Sequence, residues 1–325
     1  MTTRDRPAVG SALFSLIERA ARRLVKGREG LTVHQLRDEL QALKLQVGRL
    51  QTSQMLAARP KTLREAEFRV FSQFGEDGII QYLLSKVGPV PTTFVEFGVQ
   101  DYAEANTLFL LLNDNWRGLI IDGSDAAMRA VRQRELYWRH ELCALAAFIT
   151  RDNINDLLRQ GNVEGEIGLL SVDIDGNDYW VWERIDAVQP VIVVAEYNAI
   201  FGPTEPVSVP YDPSFRRTQA HFSNLYWGCS LAALCHLADT RGYAFVGTNT
   251  AGNNAFFVRR DRRADLAELS AEQGYTASRF RESRDESGAL TYLSGPRRLE
   301  VIARLPVVDV RTGAQRTIGT LTVGS

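Results

Sequence analysis

From residue 68 onward, short apolar runs recur with helix-length stretches between them, and this alternation constrains the fold more than any other feature of the chain. The runs are TTFVEFG (92–98), RGLIIDG (117–123), ALAAFIT (144–150), IGLLSVDID (167–175) and PVIVVAEYN (190–198). Most are apolar along their length instead of at every second residue, so both faces must be covered, as in parallel strands packed between helical layers. Two more runs, GYAFVGTN (242–249) and NAFFVRR (254–260), are separated only by TAGN. Four residues cannot hold a crossover helix, so this pair must form an antiparallel hairpin. The expected fold is α/β, a mostly parallel seven-stranded sheet whose last strand runs backwards.

At 325 residues and 45% hydrophobic content the chain can bury a large core. Its longest apolar runs, TLFLLL (107–112) and VIVVA (191–195), fall well short of the roughly 20 residues that cross a bilayer. The apolar stretch near the start is broken by Glu18 and Arg19 and has no small-residue cleavage pattern, which speaks against a secretory signal. Cys143, Cys229 and Cys235 are odd in number and sit among apolar residues, the usage of free thiols in a reducing compartment, so a cytoplasmic protein is expected.

Charge divides the chain. Residues 1–66 carry 13 Lys and Arg against 6 Asp and Glu, whereas residues 67–325 carry 25 against 33. Within the basic part, Leu13, Leu16, Ile17, Ala20 and Leu24 make one stripe of a helix over 11–26, flanked by Arg19, Arg22, Arg23 and Lys26. Such a helix suits packing on another subunit or peripheral contact with the inner membrane surface. After Gly27–Gly30, Val33, Leu36, Leu40, Leu43, Val47 and Leu50 alternate spacings of three and four, the seam of a short coiled coil that would make a homo-oligomer. An amphipathic helix docked on its own domain has the same pattern. The expected organisation is an oligomerisation segment over 1–60, a catalytic domain over 61–265 and a β-containing extension over 266–325.

In an open α/β sheet ligands bind beyond the carboxyl ends of the strands, so the polar residues there matter together. The first run ends at Glu96 and is followed by Gly98, where bare backbone lets a ligand approach. The second ends at Asp122, at about the interval at which a carboxylate grips ribose hydroxyls. No G-x-G-x-x-G is present. Read together, FSQFGEDGIIQYLL (71–84), FVEFGVQD (94–101), NTLFLLLNDNWRGLIIDGS (106–124) and SVDIDGNDYWVWERI (171–185) resemble the FkbM-like group of class I, Rossmann-like S-adenosylmethionine-dependent methyltransferases, over roughly residues 68–260. The reversed last strand is also a feature of that class.

The resemblance implies that Glu96, Gly98 and Asn106 face the methionine half of S-adenosylmethionine, Asp122 and Gly123 its ribose, and that Gln73, Glu76 and Asp173 border the same pocket. Tyr102 departs from it, standing where relatives often have glycine. Asp173, Asp175, Asp178, Glu196 and Asn198 put hard oxygen donors on neighbouring strand tips, the set that magnesium prefers, although Asp173 and Asp178 equally suit helix caps. The arrangement is similar to the magnesium site of macrolide-sugar O-methyltransferases, which implies Asp175, Glu196 and Asn198 as ligands, with Ala195 in place of a second acid.

Methyl transfer is an in-line displacement that needs alignment and an acceptor ready to lose its proton. Asp175, through a metal, and His221, as a base, are the candidate catalytic residues. His221 lies in an insertion over 201–228 whose Tyr211, Phe215, Phe222, Tyr226 and Trp227, with Tyr197 before it, can stack on sugars, while Arg216 and Arg217 can meet anions. The expected activity is O-methylation of a sugar hydroxyl in a glycan, glycolipid or glycosylated metabolite. An acidic domain with no stripe of basic and aromatic residues is a poor nucleic-acid binder. A Rossmann-like protein binding NAD or a nucleotide-sugar, and a non-catalytic assembly module built on the coiled coil, are the alternatives.

Overall fold

The computed structural model describes residues 33–322. Contacts divide the chain into two units that meet between Val47 and Gly48. The helix Val33–Ala58 carries the heptad positions from Val33 to Leu50, and Leu36 and Leu40 of the seam are exposed, at 41% and 57%. The basic helix expected over 11–26 lies outside the described residues. No described helix is long and apolar enough to cross a membrane.

Among the described residues, the second unit has ten strands: β1 (Thr93–Phe97), β2 (Arg117–Asp122), β3 (Leu142–Ala146), β4 (Gly165–Val172), β5 (Val188–Glu196), β6 (Val207–Ser208), β7 (Tyr243–Thr248), β8 (Asn254–Arg259), β9 (Pro306–Asp309) and β10 (Gln315–Thr317). Seven form one sheet in the order β3-β2-β1-β4-β5-β8-β7. β1 to β5 are parallel, and β8 is antiparallel to both β5 and β7. Every residue of β1 is buried, as continuous hydrophobicity demands of a central strand. The strand order reverses between β1 and β4, so the carboxyl tips of those two strands flank the crevice where this fold holds ligands. This is the class I methyltransferase arrangement.

The helix Glu76–Val87 opens with two acids and stops at Gly88, whose φ of 75° ends it before Pro89. Ile154–Gln160, Asp178–Arg184 and Leu231–Thr240 place Ile154, Leu158, Val181, Trp182, Leu234 and Leu237 in one cluster with Val95, Phe97, Leu119 and Ile121 of the strands. β3 ends before the predicted 144–150 run does. Beyond Ala146, Asn153 accepts from Thr150 N–H at 2.8 Å and donates to the Phe148 carbonyl at 2.9 Å, turning the chain into the next helix. β2 ends at Asp122, whose carbonyl accepts Ala147 N–H at 2.9 Å, and past that bond an edge strand has no second neighbour to keep it extended.

The 201–228 insertion and the C-terminal extension form a second layer. β6 of the insertion pairs with β9, which pairs with β10, in a small antiparallel sheet. Phe201, Val207, Val209 and Leu225 share a core with Ile302, Val307 and Ile318. The insertion is thus part of a packed subdomain.

Candidate functional site

The tips of β1 and β2 are organised by carboxylates that collect amide hydrogens. Glu96, 5% exposed, accepts Asn106 N–H at 2.8 Å on one oxygen, and Thr107 N–H at 3.0 Å and the Thr107 hydroxyl at 2.5 Å on the other. It closes the 98–107 loop on itself. Burial outweighs these three donors and pushes its carboxyl up to about 7. Asn106 then bridges to β4, its side-chain amide donating to Ser171 Oγ at 3.0 Å. Asp122 is half-buried and spans two loops, taking Gln100 N–H and Ser124 N–H, each at 2.7 Å, on separate oxygens. A carboxylate offers about four lone-pair sites, so two remain for a ligand's hydroxyls. Gly123 beside it is exposed, with only the Phe148 ring near the position a Cβ would take.

Gly98 has to be bare whether or not a ligand approaches it. Its φ is 72°, and a Cβ there would lie 1.7 Å from the carbonyl oxygen of Asp173, so the glycine lets the β1 and β4 tips touch. Tyr102 takes the left-handed conformation a glycine would take, at φ 55°, and offsets that strain by burying its ring completely and bonding its hydroxyl to Thr107 Oγ1 at 2.8 Å. Of the SQFGED residues, Gln73 is exposed. Glu76 is fully buried and tied up, accepting Asn249 and Asn254 amides on one oxygen and Phe74 and Gly75 N–H on the other. Asp77, which sequence reasoning passed over, accepts Val70, Phe71 and Ser72 N–H on one oxygen and leaves the other buried and unpartnered. These two acids shape the loop before the helix Glu76–Val87.

The tips of β4 and β5 are different. Asp178 accepts Ile174 N–H at 2.8 Å and Gly176 N–H at 2.9 Å, which folds the DIDGND loop, and burial raises its carboxyl to about 6. Asp173 does not cap the helix. It lies with Asp175 and Glu196, one carboxylate oxygen of each within 4.8 Å of the others. Glu196 is 7% exposed and its Oε2 has no hydrogen-bond partner. Burial first, then the charges of Asp173, Asp175 and Asp178, raise Glu196 well above the carboxylate range; burial, then Asp175 and Asp178, do the same to Asp173. Three hard donors at ligand spacing around an orphaned buried oxygen fit a magnesium- or calcium-like ion. Asn198 does not belong to this set. Its amide donates to the Leu225 and Trp227 carbonyls and its oxygen accepts Ile200 N–H, so it anchors the insertion.

The insertion crosses these tips. Asn177 donates to the Asp212 carbonyl at 2.8 Å, Phe215 packs over Gly176, Trp180 donates to the Val209 carbonyl, and Arg217 reaches Asp175 at 2.6 Å. Toward β3, the Arg216 guanidinium lies 4.8 Å from the Phe148 ring centre and Arg151 lies 4.0 Å from that of Tyr211. His221 turns elsewhere, bonding Ser223 Oγ at 2.8 Å and stacking at 4.2 Å on Phe222, with burial lowering its affinity for a proton. Most of the aromatics foreseen as a sugar platform are structural: Tyr197 and Tyr226 are buried and donate to the carbonyls of Thr276 and Pro306, and Trp227 is buried beneath Arg217. Phe222, 43% exposed, and the partly exposed Tyr211 remain accessible. Two clefts, of about 500 and 280 Å³, lie away from the strand tips, one beside Tyr82 and Lys86, the other at the opposite end of β1 to β3 beside His140 and Cys143.

No family model matches this chain and no curated protein matches it. Among solved structures, the N-terminal domain of EvdMO1 with SAH bound is 10% identical over 65% of this chain and 94% of its own, at a TM-score of 0.36. An O-methyltransferase from Bacillus cereus in complex with SAH is 11% identical over 75% and 97%, at 0.38. A putative caffeoyl-CoA O-methyltransferase from Staphylococcus aureus is 12% identical over 57% and 82%, at 0.37. The fold assignment rests on the strand order itself.

Proposed function

We propose that the chain is an S-adenosylmethionine-dependent O-methyltransferase of the FkbM-like group, acting on a sugar hydroxyl with the help of a divalent ion. The observation that carries the reading is the strand-order reversal between β1 and β4 in a sheet with a backward last strand, with Asp122 at the neighbouring tip holding free lone pairs. Asp122 would take the ribose hydroxyls, and the loop that Glu96 pins would present the backbone after Gly98 to the methionine end. Asp173, Asp175 and Glu196 would hold the ion. When bound, such an ion lowers the pKa of a coordinated hydroxyl. The insertion that crosses the strand tips would offer Tyr211 and Arg216 to an acceptor. The first helix-joined turn after β1 has no G-x-G-x-x-G, which disfavours a dinucleotide.

Isothermal calorimetry with S-adenosylhomocysteine tests the donor site. The wild type should bind and Asp122→Ala should bind much more weakly; equal affinities would remove Asp122 from the site. Methylation of a glycan panel that persists in excess EDTA would remove the metal. The exposed Leu36 and Leu40 support self-association through the heptad seam, and a mass by light scattering that stays the same in Leu36→Glu/Leu40→Glu would refute it.

A further inference from the structure

The acidic cluster already has a cation beside it. Arg217 donates to Asp175 Oδ1 at 2.6 Å, stands 3.6 Å from Glu282, donates through Nε to the Asn224 carbonyl at 3.0 Å, and lies 4.8 Å from the Trp227 ring centre. Its charge also reaches Glu196. The guanidinium therefore has two carboxylates to choose between, one in the cluster and one outside it. Asp175 is the most exposed of the three clustered acids and sits at φ 57°, on the outer side of the loop, where it can serve either Arg217 or an ion between Asp173 and Glu196. Glu196 Oε2, buried and unpartnered, shows that Arg217 does not complete the cluster.

We propose that Arg217 is a positioning residue that competes with the divalent ion for Asp175, so that ion entry moves the guanidinium off Asp175 and onto Glu282. This rests on the metal reading above and deepens it. A divalent ion and a guanidinium held a few ångströms apart on one carboxylate repel each other. Binding of the ion and docking of the Arg217 segment on the DIDGND loop are then coupled with opposite sign, and the coupling is reciprocal. Since residues 209–217 cross the β4 tip, the ion would loosen one of the ties that hold the insertion over the crevice.

The test uses Mn²⁺ as the probe, with free ion followed by electron paramagnetic resonance on the full chain without cofactor or acceptor. Arg217→Gln should bind Mn²⁺ about ten-fold more tightly than wild type, the size of losing one charge-assisted competitor. Arg217→Lys, which keeps the charge, should stay near wild type; a merely structural role would alter both variants alike. Adding Glu196→Gln to Arg217→Gln should abolish the binding. Equal affinities in wild type and Arg217→Gln would overturn the competition and leave the metal reading intact. Absence of Mn²⁺ binding in every variant, with S-adenosylhomocysteine still bound, would overturn the metal reading itself. Tight binding that survives Glu196→Gln would place the ion elsewhere and overturn both.

Discussion

The two acidic strand-tip regions are built on opposite principles. At β1 and β2, Glu96 and Asp122 accept backbone amide hydrogens and so fold the loops around themselves. At β4 and β5, Asp173 and Glu196 face each other, and one Glu196 oxygen has no partner. A carboxylate bound by amides stabilises the native chain, whereas two forced together oppose it. The first region owes its shape to its acids; the second tolerates its acids, which is the mark of residues kept for a ligand.

That contrast can be broken at the point where the regions meet. Gly98→Ala puts a methyl against the Asp173 carbonyl at positive φ and should cost about 4 kcal/mol, read as a collapsed melting temperature. Glu96→Ala leaves two backbone amides and the Thr107 hydroxyl without their acceptor and should cost about 3 kcal/mol in urea unfolding. Asp122→Ala should act mainly on the ligand, weakening S-adenosylhomocysteine on the order of 30-fold with a smaller loss of stability. Glu196→Gln should have the reverse sign from Glu96→Ala and gain about 1 kcal/mol at pH 8.

The sign follows from proton linkage. Glu96, Asp173, Asp178 and Glu196 hold their protons more tightly folded than unfolded, so their contribution is complete below the unfolded carboxylate range and is lost as pH rises through the raised values. Thermal melts of the wild type should therefore decline from pH 6.5 to 8, and Glu196→Gln should decline less. His221→Ala should be the smallest perturbation, within about 0.5 kcal/mol in stability and about two-fold in turnover, because its imidazole bonds Ser223 and not the acids.

The sheet could be read from residues because it is a matter of burial. Continuous apolar runs mark strands covered on both faces, and TAGN between two of them forces the reversal of β8. The acids at the tips could be read for the same reason, since the runs end in them. Which acids would be consumed could not. Asn198 and Glu76 look like ligand-facing residues in the chain, yet each meets partners from distant segments, Leu225 and Trp227 for one, Asn249 and Asn254 for the other. The sequence shows Gly98 as a bare position, but a group that needs it bare, the Asp173 carbonyl, lies on another segment. Tyr102 shows the converse, a bulky residue in a glycine's conformation, held there because its ring is buried.

What the amino-acid order determined by itself was the set of strands, their hydrophobic faces and the polar ends they present, because those depend on local period and composition. Tertiary structure alone decided that the 201–228 insertion joins the C-terminal extension in a second core, that Arg217 reaches Asp175, and that Asp173 pairs with Glu196. Each of those depends on segments brought together by the sheet's crossovers, and no local pattern records which distant group will satisfy, or fail to satisfy, a buried charge.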